Sequence, residues 1–223
     1  MNYRLGVTCM SKFKFDAFLT HNWAYDELGR SNHDRVVAVS KALTERGIKC
    51  WLDEQAMDGD IQRTMCKGID ESQMGLVFIT REYMKKASGD GPNGDRDNCY
   101  FEFTYMYGKR PVMPLLAIVM EPSCLSQGEW IGKVGGALGS TLYFDLSNTY
   151  TDDEFDHSFN KKMDELRDMA LKKIPSLVSD HYYYTDTHEM TDECDSMDFE
   201  FRDDEESDEE SYEGSYEESD EES

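Results

Sequence analysis

The chain of 223 residues has few cysteines, and their positions do not fit a metal centre or a disulfide framework. The six cysteines stand at positions 9, 50, 66, 99, 124 and 194, with no C-x-x-C pair and no regular spacing. Zinc modules and small disulfide scaffolds need such pairs, so both classes are disfavoured. We expect no metal site and a reducing, cytosolic setting.

Long apolar runs are also missing. The longest, PVMPLLAIVM (111–120), holds two prolines and is shorter than the roughly 20 residues that cross a bilayer as a helix. The opening MNYRLGVTCMSKFKFDAFL has no apolar core followed by a small-residue cleavage site, which argues against a signal peptide. We expect no membrane span and a cytoplasmic location.

Basic residues are scarce near the C-terminus. Of the 47 acidic residues, 20 lie in 181–223, where the one basic residue is Arg202, so this segment accounts for most of the formal net charge of -24. A broad basic face is missing, which disfavours nucleic-acid binding. Residues 179–223 bury too little apolar surface to fold and are predicted to be a disordered acidic tail. The tail acts either as a solvated segment or as a docking segment for a basic partner, tuned by phosphorylation.

The rest of the chain alternates apolar runs with helical patterns. Strands are predicted at 15–20, 48–52, 74–80, 112–120 and 141–146. Helices are predicted from Ser31, whose spacing to Asp34 is that of a capping box, from Ile61, over NCYFEFTYMYGK (98–109), and from Thr151 to just before Pro175. The stretch REYMKKASGDGPNGDRD (81–97) is predicted to pass into a Gly/Asp/Asn loop, and GKVGGALGS (132–140) is predicted to be a loop before the fifth strand. Wholly apolar strands that alternate with helices indicate a flavodoxin-like, five-stranded parallel sheet with helices on both faces. Functional residues are then expected at the carboxyl ends of the strands.

Three common occupants of such a sheet do not fit. A phosphoacceptor domain needs an aspartate after its third strand, but that strand ends in VFIT. A flavin site needs a small Ser/Thr/Gly loop after the first strand, where this chain has THNWAYDELGRSNHD. The nearest match to a phosphate loop, GEWIGKV, has the wrong spacing and no hydroxyl residue.

Five segments, in order, resemble the Toll/interleukin-receptor (TIR) domain family. FDAFLTHNW resembles the first box of that family, and GIKCWLDEQAMDGDI resembles its second strand and the following BB loop. GIDESQMGLVFITREYM, NCYFEF and MPLLAIVMEP resemble the third strand with its preceding helix, the C-x-x-E-[LF] motif of plant and protist members, and the fourth strand. The resemblance covers about residues 13–175, and it predicts a TIR domain over residues 13–178 with residues 1–12 as an N-terminal extension.

The resemblance implies self-association and, in many members, cleavage of NAD+ at the nicotinamide–ribose bond by one glutamate, here Glu102. NAD+ is then a substrate, and no cofactor is expected. The partners implied are further copies of the chain and other TIR proteins. Self-association is expected through the BB loop, whose residues include Asp53, Glu54, Met57, Gly59 and Asp60.

The chemistry of a single carboxylate is consistent with that reaction. Glycosidases usually need a second carboxyl group to protonate the leaving group. Nicotinamide leaves NAD+ as a neutral molecule, so one carboxylate that stabilises the developing ribosyl cation is enough. A solvated glutamate in the first turn of a helix is the simpler alternative for Glu102. The alternative function is a non-catalytic adaptor that acts by TIR–TIR docking.

Six further residues are candidates for substrate binding. They lie after the first strand or beside Glu102 on its helix: His21, Asn22, Trp23, Arg30, Asn98 and Cys99. Trp23 can stack on a ligand ring, and Arg30 or Arg35 can meet a pyrophosphate. Asn98 departs from the family, because many NAD-cleaving members have a tryptophan at that position.

Overall fold

The computed structural model describes residues 13–52, 61–149 and 157–174. Strands and helices alternate along these ranges. In chain order they are β1 (Phe15–Thr20), α1 (Asn32–Glu45), β2 (Cys50–Trp51), α2 (Ile61–Asp70), β3 (Ser72–Ile79), α3 (Arg81–Ser88), α4 (Asn98–Gly108), β4 (Leu115–Val119), α5 (Gly132–Leu138), β5 (Tyr143–Asp145) and α6 (His157–Lys173). Short 3₁₀ turns span Gly94–Arg96, Pro122–Cys124 and Gln127–Glu129. The predicted extension (1–12), BB loop (53–60) and acidic tail (179–223) lie outside the described residues.

The five strands form one parallel sheet in the order β2-β1-β3-β4-β5. The chain first winds from β1 to β2 on one side and then returns to place β3 on the other side of β1. This reversal opens a crevice at the carboxyl ends of β1 and β3, where open α/β sheets bind ligands. The predicted flavodoxin-like fold is therefore confirmed.

The sheet is covered on both faces, which explains its continuous apolar strands. Met74, Leu76 and Phe78 of β3 pack into a core with α1 and α6. Val77 and Ile79, which alternate with them, pack into a second core with α2, α3, α4 and α5. A strand buried on both faces needs apolar residues at every position, rather than at every second one.

Two helices end or begin as the sequence predicts. Ser31 caps α1, and its Oγ accepts a hydrogen bond of 3.2 Å from the backbone N–H of Asp34. Gly47 follows α1 with a φ of 84°, a conformation that glycine adopts without strain. The apolar residues that recur at helical spacing in the described part of α6 are buried; they are Phe159, Met163, Leu166 and Ala170. The predicted start of that helix at Thr151 lies outside the described residues.

The stretch 81–97, predicted to pass into a loop, begins with a helix that the sequence did not predict. Residues Arg81–Ser88 form α3, because the Thr80 side chain caps the helix by accepting a hydrogen bond of 3.0 Å from the Tyr83 N–H. Tyr83, Met84 and Ala87 then bury one face of the helix. The helix ends at Gly89, which has a φ of 86°. The polar and charged residues on the outer face weaken the apolar pattern, so the sequence does not predict this helix.

The prediction that GKVGGALGS is a loop is also wrong, because residues Gly132–Leu138 form α5. Val134 and Leu138, four residues apart, are buried in the core that α3 shares. Gly135 has no side chain because a Cβ there would lie 2.2 Å from the carbonyl oxygen of Trp130. Tight packing against this backbone thus requires a glycine, and its low helix propensity is offset by tertiary contacts.

Candidate functional site

A cavity of about 230 Å³ lies beside the carboxyl end of β1. Three parts of the chain build it: β1 with its following loop, α3, and the segment that leads into α4. The residues that line it are Leu19, His21, Trp23, Lys86, Asn93, Arg96, Asp97, Asn98, Cys99 and Glu102. Glu102, His21, Trp23, Asn98 and Cys99 are thus brought together as predicted from the sequence, whereas Asn22 and Arg30 are not among the lining residues.

Glu102 is held inside the protein by its helix. Asp97 caps α4, and its Oδ1 accepts a hydrogen bond of 3.0 Å from the Cys99 N–H. One helical turn later Glu102 is only 7% exposed, which contradicts a freely solvated surface position. Burial of a carboxylate is costly unless hydrogen bonds compensate, so its partners decide whether it stays charged.

Those partners form a short chain of hydroxyl groups. Thr20, the last residue of β1, donates a hydrogen bond of 2.6 Å to Glu102 Oε2. The hydroxyl of Tyr83 lies 3.0 Å from the same Thr20 oxygen and donates to it, since the Thr20 proton is already directed at Glu102. Burial, followed by the Cys99 thiol, raises the pKa of Tyr83 well above its ordinary value, so Tyr83 remains a donor at neutral pH. The chain Tyr83–Thr20–Glu102 fixes one carboxylate oxygen.

The Trp23 ring, which lines the cavity, belongs to an aromatic stack. The Trp23 ring lies on the ring of His33, with a centroid separation of 3.7 Å and an angle of 19° between planes. His33 Nδ1 in turn lies 2.9 Å from Nε2 of His21. Burial, followed by the charge of His33, lowers the pKa of His21 to about 3, so this ring is neutral at pH 7. Trp23 itself is 63% exposed, which leaves indole surface open at the cavity.

Cys99 lines the cavity as a protonated thiol. Its Sγ donates to the carbonyl oxygen of His21 at 3.4 Å. Burial, followed by the negative charge of Glu102, raises the pKa of Cys99. A thiol in such surroundings is a poor nucleophile, because the thiolate is the reactive form. Cys99 therefore contributes shape to the site, and Glu102 contributes its charge.

Asn22 has a structural position behind the cavity. Its side chain is almost fully buried, and its Oδ1 accepts hydrogen bonds from Thr80 Oγ1 at 2.8 Å and from Asn32 Nδ2 at 3.0 Å. These bonds connect the end of β1 with the starts of α3 and α1. Asn22 thus positions the loop that carries His21 and Trp23.

The structure corrects the prediction for Arg30 and Arg35. Arg30 binds Asp26 and donates to the carbonyl oxygens of Met120 and Ser147, at 3.1 and 2.7 Å. Arg35 binds Asp26 as well, at 3.0 Å, and its guanidinium reaches the Met120 carbonyl at 2.7 Å. Both guanidinium groups tie α1 and its preceding loop to the ends of β4 and β5. These contacts hold them away from the cavity described above.

Several residues of the site are not indicated as functional by the sequence. Lys86, Arg96 and Asp97 line the cavity but lie in the stretch 81–97, whose Gly, Asp and Asn residues are typical of a loop. Thr20 binds Glu102 without lining the cavity, and the sequence indicates only that it ends a strand. Only Asp97 has a local signal, since an aspartate directly before a helix is a preferred cap. The others require the fold to bring α3 and α4 beside β1.

Tyr100, the residue after Cys99, is not among the residues that line the cavity. Its ring lies under Lys133, whose Nζ is 3.4 Å from the ring centroid. Asn98 is exposed and lines the cavity. At the mouth of the site, Trp23 is therefore the aromatic side chain available for stacking on a ligand.

A TIR-domain family model matches residues 18–161, which is more than half of the chain. The chain belongs to the TIR domain family. The matched range contains the cavity and all of the sheet except the first three residues of β1, so Glu102 lies within the part of the chain that matches the family.

A search of the curated proteins yields no match. Among solved structures, the chain is similar to the TIR domains in the structure of the activated Roq1 resistosome directly recognizing the pathogen effector XopQ. The identity is 19% and the TM-score is 0.44, over 70% of this chain and 99% of that chain.

Two negative observations apply to the described residues. Within 13–52, 61–149 and 157–174, there is no group of three or more His, Cys, Asp or Glu residues that could hold a metal ion. Across the same part of the chain, no helix combines the length and apolar character needed to cross a membrane.

Proposed function

We propose that this TIR domain hydrolyses NAD+ to nicotinamide and ADP-ribose, with Glu102 as the catalytic residue. The observation that carries the proposal is the position of Glu102, a buried carboxylate that lines a cavity at the switch point of the sheet. Buried ionisable groups in such crevices are characteristic of functional sites. A carboxylate with only a structural role would be more stable in contact with solvent, because burial removes its hydration.

The chemistry proceeds in two parts. The bond between ribose C1′ and the nicotinamide nitrogen breaks, and its electron pair returns to the pyridinium ring, which departs neutral. Glu102 stabilises the ribosyl cation that develops, while the hydrogen bond from Thr20 fixes the carboxylate. Water then bonds to C1′ and releases a proton to solvent. If an adenine nitrogen of the same molecule replaces water, the product is cyclic ADP-ribose.

Trp23 supports this proposal on the side of the leaving group. Its open indole face lies at the cavity and is held flat by His33 behind it. A pyridinium ring is a cation with a π face, and stacking on tryptophan stabilises such a group. Because His21 is neutral at pH 7, it adds no positive charge that would repel the substrate.

Self-association is the second part of the proposed function. Membership of the family supports it, and it would act through the BB loop, residues 53–60, which lies outside the described residues. We propose that association activates the chain in cytosolic innate-immune signalling. Other TIR proteins are proposed as further partners, and a basic partner is proposed for the acidic tail.

One observation favours the alternative of a non-catalytic adaptor. Asn98, a polar and exposed residue, occupies the position at which many NAD-cleaving members have tryptophan. If Trp23 does not replace that aromatic ring, the cavity binds nicotinamide too weakly for turnover. The domain would then act by homotypic docking.

The test uses the full chain, either concentrated or tethered to beads, with NAD+ added and free nicotinamide measured by chromatography. Wild-type protein is expected to release nicotinamide, and Glu102→Gln is expected to abolish release. Glu165→Gln, the same change at an exposed position of α6, is the matched control and should retain full activity. Self-association without release in the clustered wild type would support the adaptor.

A further inference from the structure

The cavity is too small for a whole dinucleotide. Its volume of about 230 Å³ is below the roughly 300–1,000 Å³ that is usual for pockets enclosing drug-sized ligands. If Glu102 stabilises the ribosyl cation, the enclosed part of NAD+ is the nicotinamide and its ribose. The diphosphate must then lie at the mouth of the cavity, where its two negative charges need partners.

The arginines expected to bind the diphosphate do not lie at that mouth. Arg30 and Arg35 are engaged with Asp26 and with backbone carbonyls of the loops after β4 and β5. Rebuilding these contacts to reach a ligand would leave the buried carboxylate of Asp26 without its partners, which is costly. Another source of positive charge is required.

Two other cations line the cavity, one from α3 and one from the segment that precedes α4. Arg96 ends the 3₁₀ turn Gly94–Arg96, and its residue is exposed. Within the described part of the chain no ion pair or side-chain hydrogen bond occupies its guanidinium. Lys86, near the end of α3, lies with its Nζ 3.9 Å from Asp97 Oδ2.

The charged groups of the site differ in their exposure. Glu102 is buried, whereas Arg96 is exposed. Asp97 caps α4 and lies 3.9 Å from the ammonium group of Lys86, so its negative charge is partly offset. A ligand whose cationic ring enters the cavity and whose phosphates stay outside matches this difference in exposure.

We infer that Arg96, assisted by Lys86, binds the diphosphate of the substrate and makes the site selective for a dinucleotide over nicotinamide riboside. Guanidinium groups suit this task, because they hold phosphate oxygens through paired hydrogen bonds. This inference rests on the proposed cleavage of NAD+, and it assigns the phosphate-binding role to residues that the sequence alone did not indicate.

The experiment measures KM for NAD+ and for nicotinamide riboside with the full chain. Nicotinamide riboside contains the same bond to be cleaved but has no phosphates. For Arg96→Gln we expect KM for NAD+ to rise about tenfold, equivalent to about 1.4 kcal/mol. KM for nicotinamide riboside should stay within about twofold, since that molecule has no phosphate for Arg96 to hold. Arg96→Lys should recover part of the loss, and Lys172→Gln, which removes an exposed charge of α6, should change neither value.

Salt provides a second readout on the same proteins. Raising the ionic strength screens an exposed ion pair, so KM for NAD+ should increase with salt in the wild type and much less in Arg96→Gln. Equal changes of KM for both substrates would overturn the inference, because a structural defect acts on both. No change for either substrate would also overturn it.

Failure of the proposed reaction can be distinguished from failure of this inference. If the wild type releases no nicotinamide, ADP-ribose binding is measured through tryptophan fluorescence, since Trp23 lies at the cavity. Binding that weakens about tenfold in Arg96→Gln would support diphosphate recognition in a site that does not catalyse. Equal binding to both proteins, or no saturable binding, would overturn it.

Discussion

Replacing Thr20 by valine tests the hydroxyl chain that holds Glu102. The two side chains have nearly the same shape, so the substitution removes the hydroxyl and little else. Thr20 and Tyr83 are both fully buried, and the change deprives Glu102 of a donor at 2.6 Å and Tyr83 of its acceptor at 3.0 Å. Glu102 lines the cavity and can recruit water, whereas the Tyr83 hydroxyl cannot.

The magnitude follows from these two losses. A hydrogen bond to a charged group contributes about 1.5–3 kcal/mol, and an orphaned buried hydroxyl costs about 1–3 kcal/mol. Because water partly replaces the hydrogen bond that Thr20 donates to Glu102, we expect Thr20→Val to lower the free energy of unfolding by about 2–3 kcal/mol. Thr20→Ser, which keeps the hydroxyl and loses one methyl group, should cost about 1 kcal/mol.

A double-mutant cycle separates the hydroxyl chain from general packing. Tyr83→Phe alone removes one donor and should cost about 1 kcal/mol. Once Tyr83 is phenylalanine, Thr20→Val leaves no orphaned hydroxyl, so the double variant should be more stable than the sum of single effects by about 1 kcal/mol. Urea denaturation measures these values if the slope of the transition is unchanged. Additive effects on the free energy of unfolding would refute the hydrogen-bonded chain Tyr83–Thr20–Glu102.

The same variants test whether Thr20 positions Glu102 for the proposed reaction. We expect Thr20→Val to lower kcat for nicotinamide release about tenfold with little change in KM, because the carboxylate stays near the ribose but is no longer fixed. Thr20→Ser should recover most of kcat. Loss of stability with unchanged kcat would assign Thr20 a structural role only.

Two further predictions concern packing and pH. Gly135→Ala should lower the melting temperature by several degrees, because its Cβ would meet the Trp130 carbonyl at 2.2 Å; Gly136→Ala, with nothing within 4 Å, is the control and should be neutral or stabilising. Circular dichroism on heating distinguishes them, and equal melting temperatures would contradict the close contact. The pKa of His21 is lowered from 6.5 to about 3, so the unfolded chain binds more protons between these values and acid destabilises the fold. His21→Gln should therefore show a shallower loss of stability than wild type from pH 6.5 to 4, and parallel curves would contradict the shift.

The fold could be predicted from the sequence because the apolar pattern and the capping residues agree. The run 74–80 corresponds closely to β3 (Ser72–Ile79), and Ser31 caps α1 as its spacing to Asp34 indicates. By contrast, α3 and α5 were not predicted. Their polar or glycine-rich sequences do not indicate helices, and they form because buried side chains such as Tyr83 and Val134 pack on the sheet.

The candidate site was predictable only in part. Glu102 stands out as a single carboxylate in an aromatic stretch, and Trp23 directly follows a strand end. Lys86 and Arg96 have no such signal, because an exposed basic residue in a polar stretch is usually a solvated surface group. Their position at the cavity depends on how α3 returns beside β1, and no local pattern encodes that placement.

The most direct measurement of whether Glu102 cleaves the nicotinamide–ribose bond is the rate of nicotinamide release from NAD+ by the clustered chain. We expect a rate that rises with clustering, falls to background in Glu102→Gln and is unchanged in Glu165→Gln. Release that persists at the wild-type rate in Glu102→Gln would contradict this role of Glu102, as would the absence of release from a wild type that demonstrably self-associates.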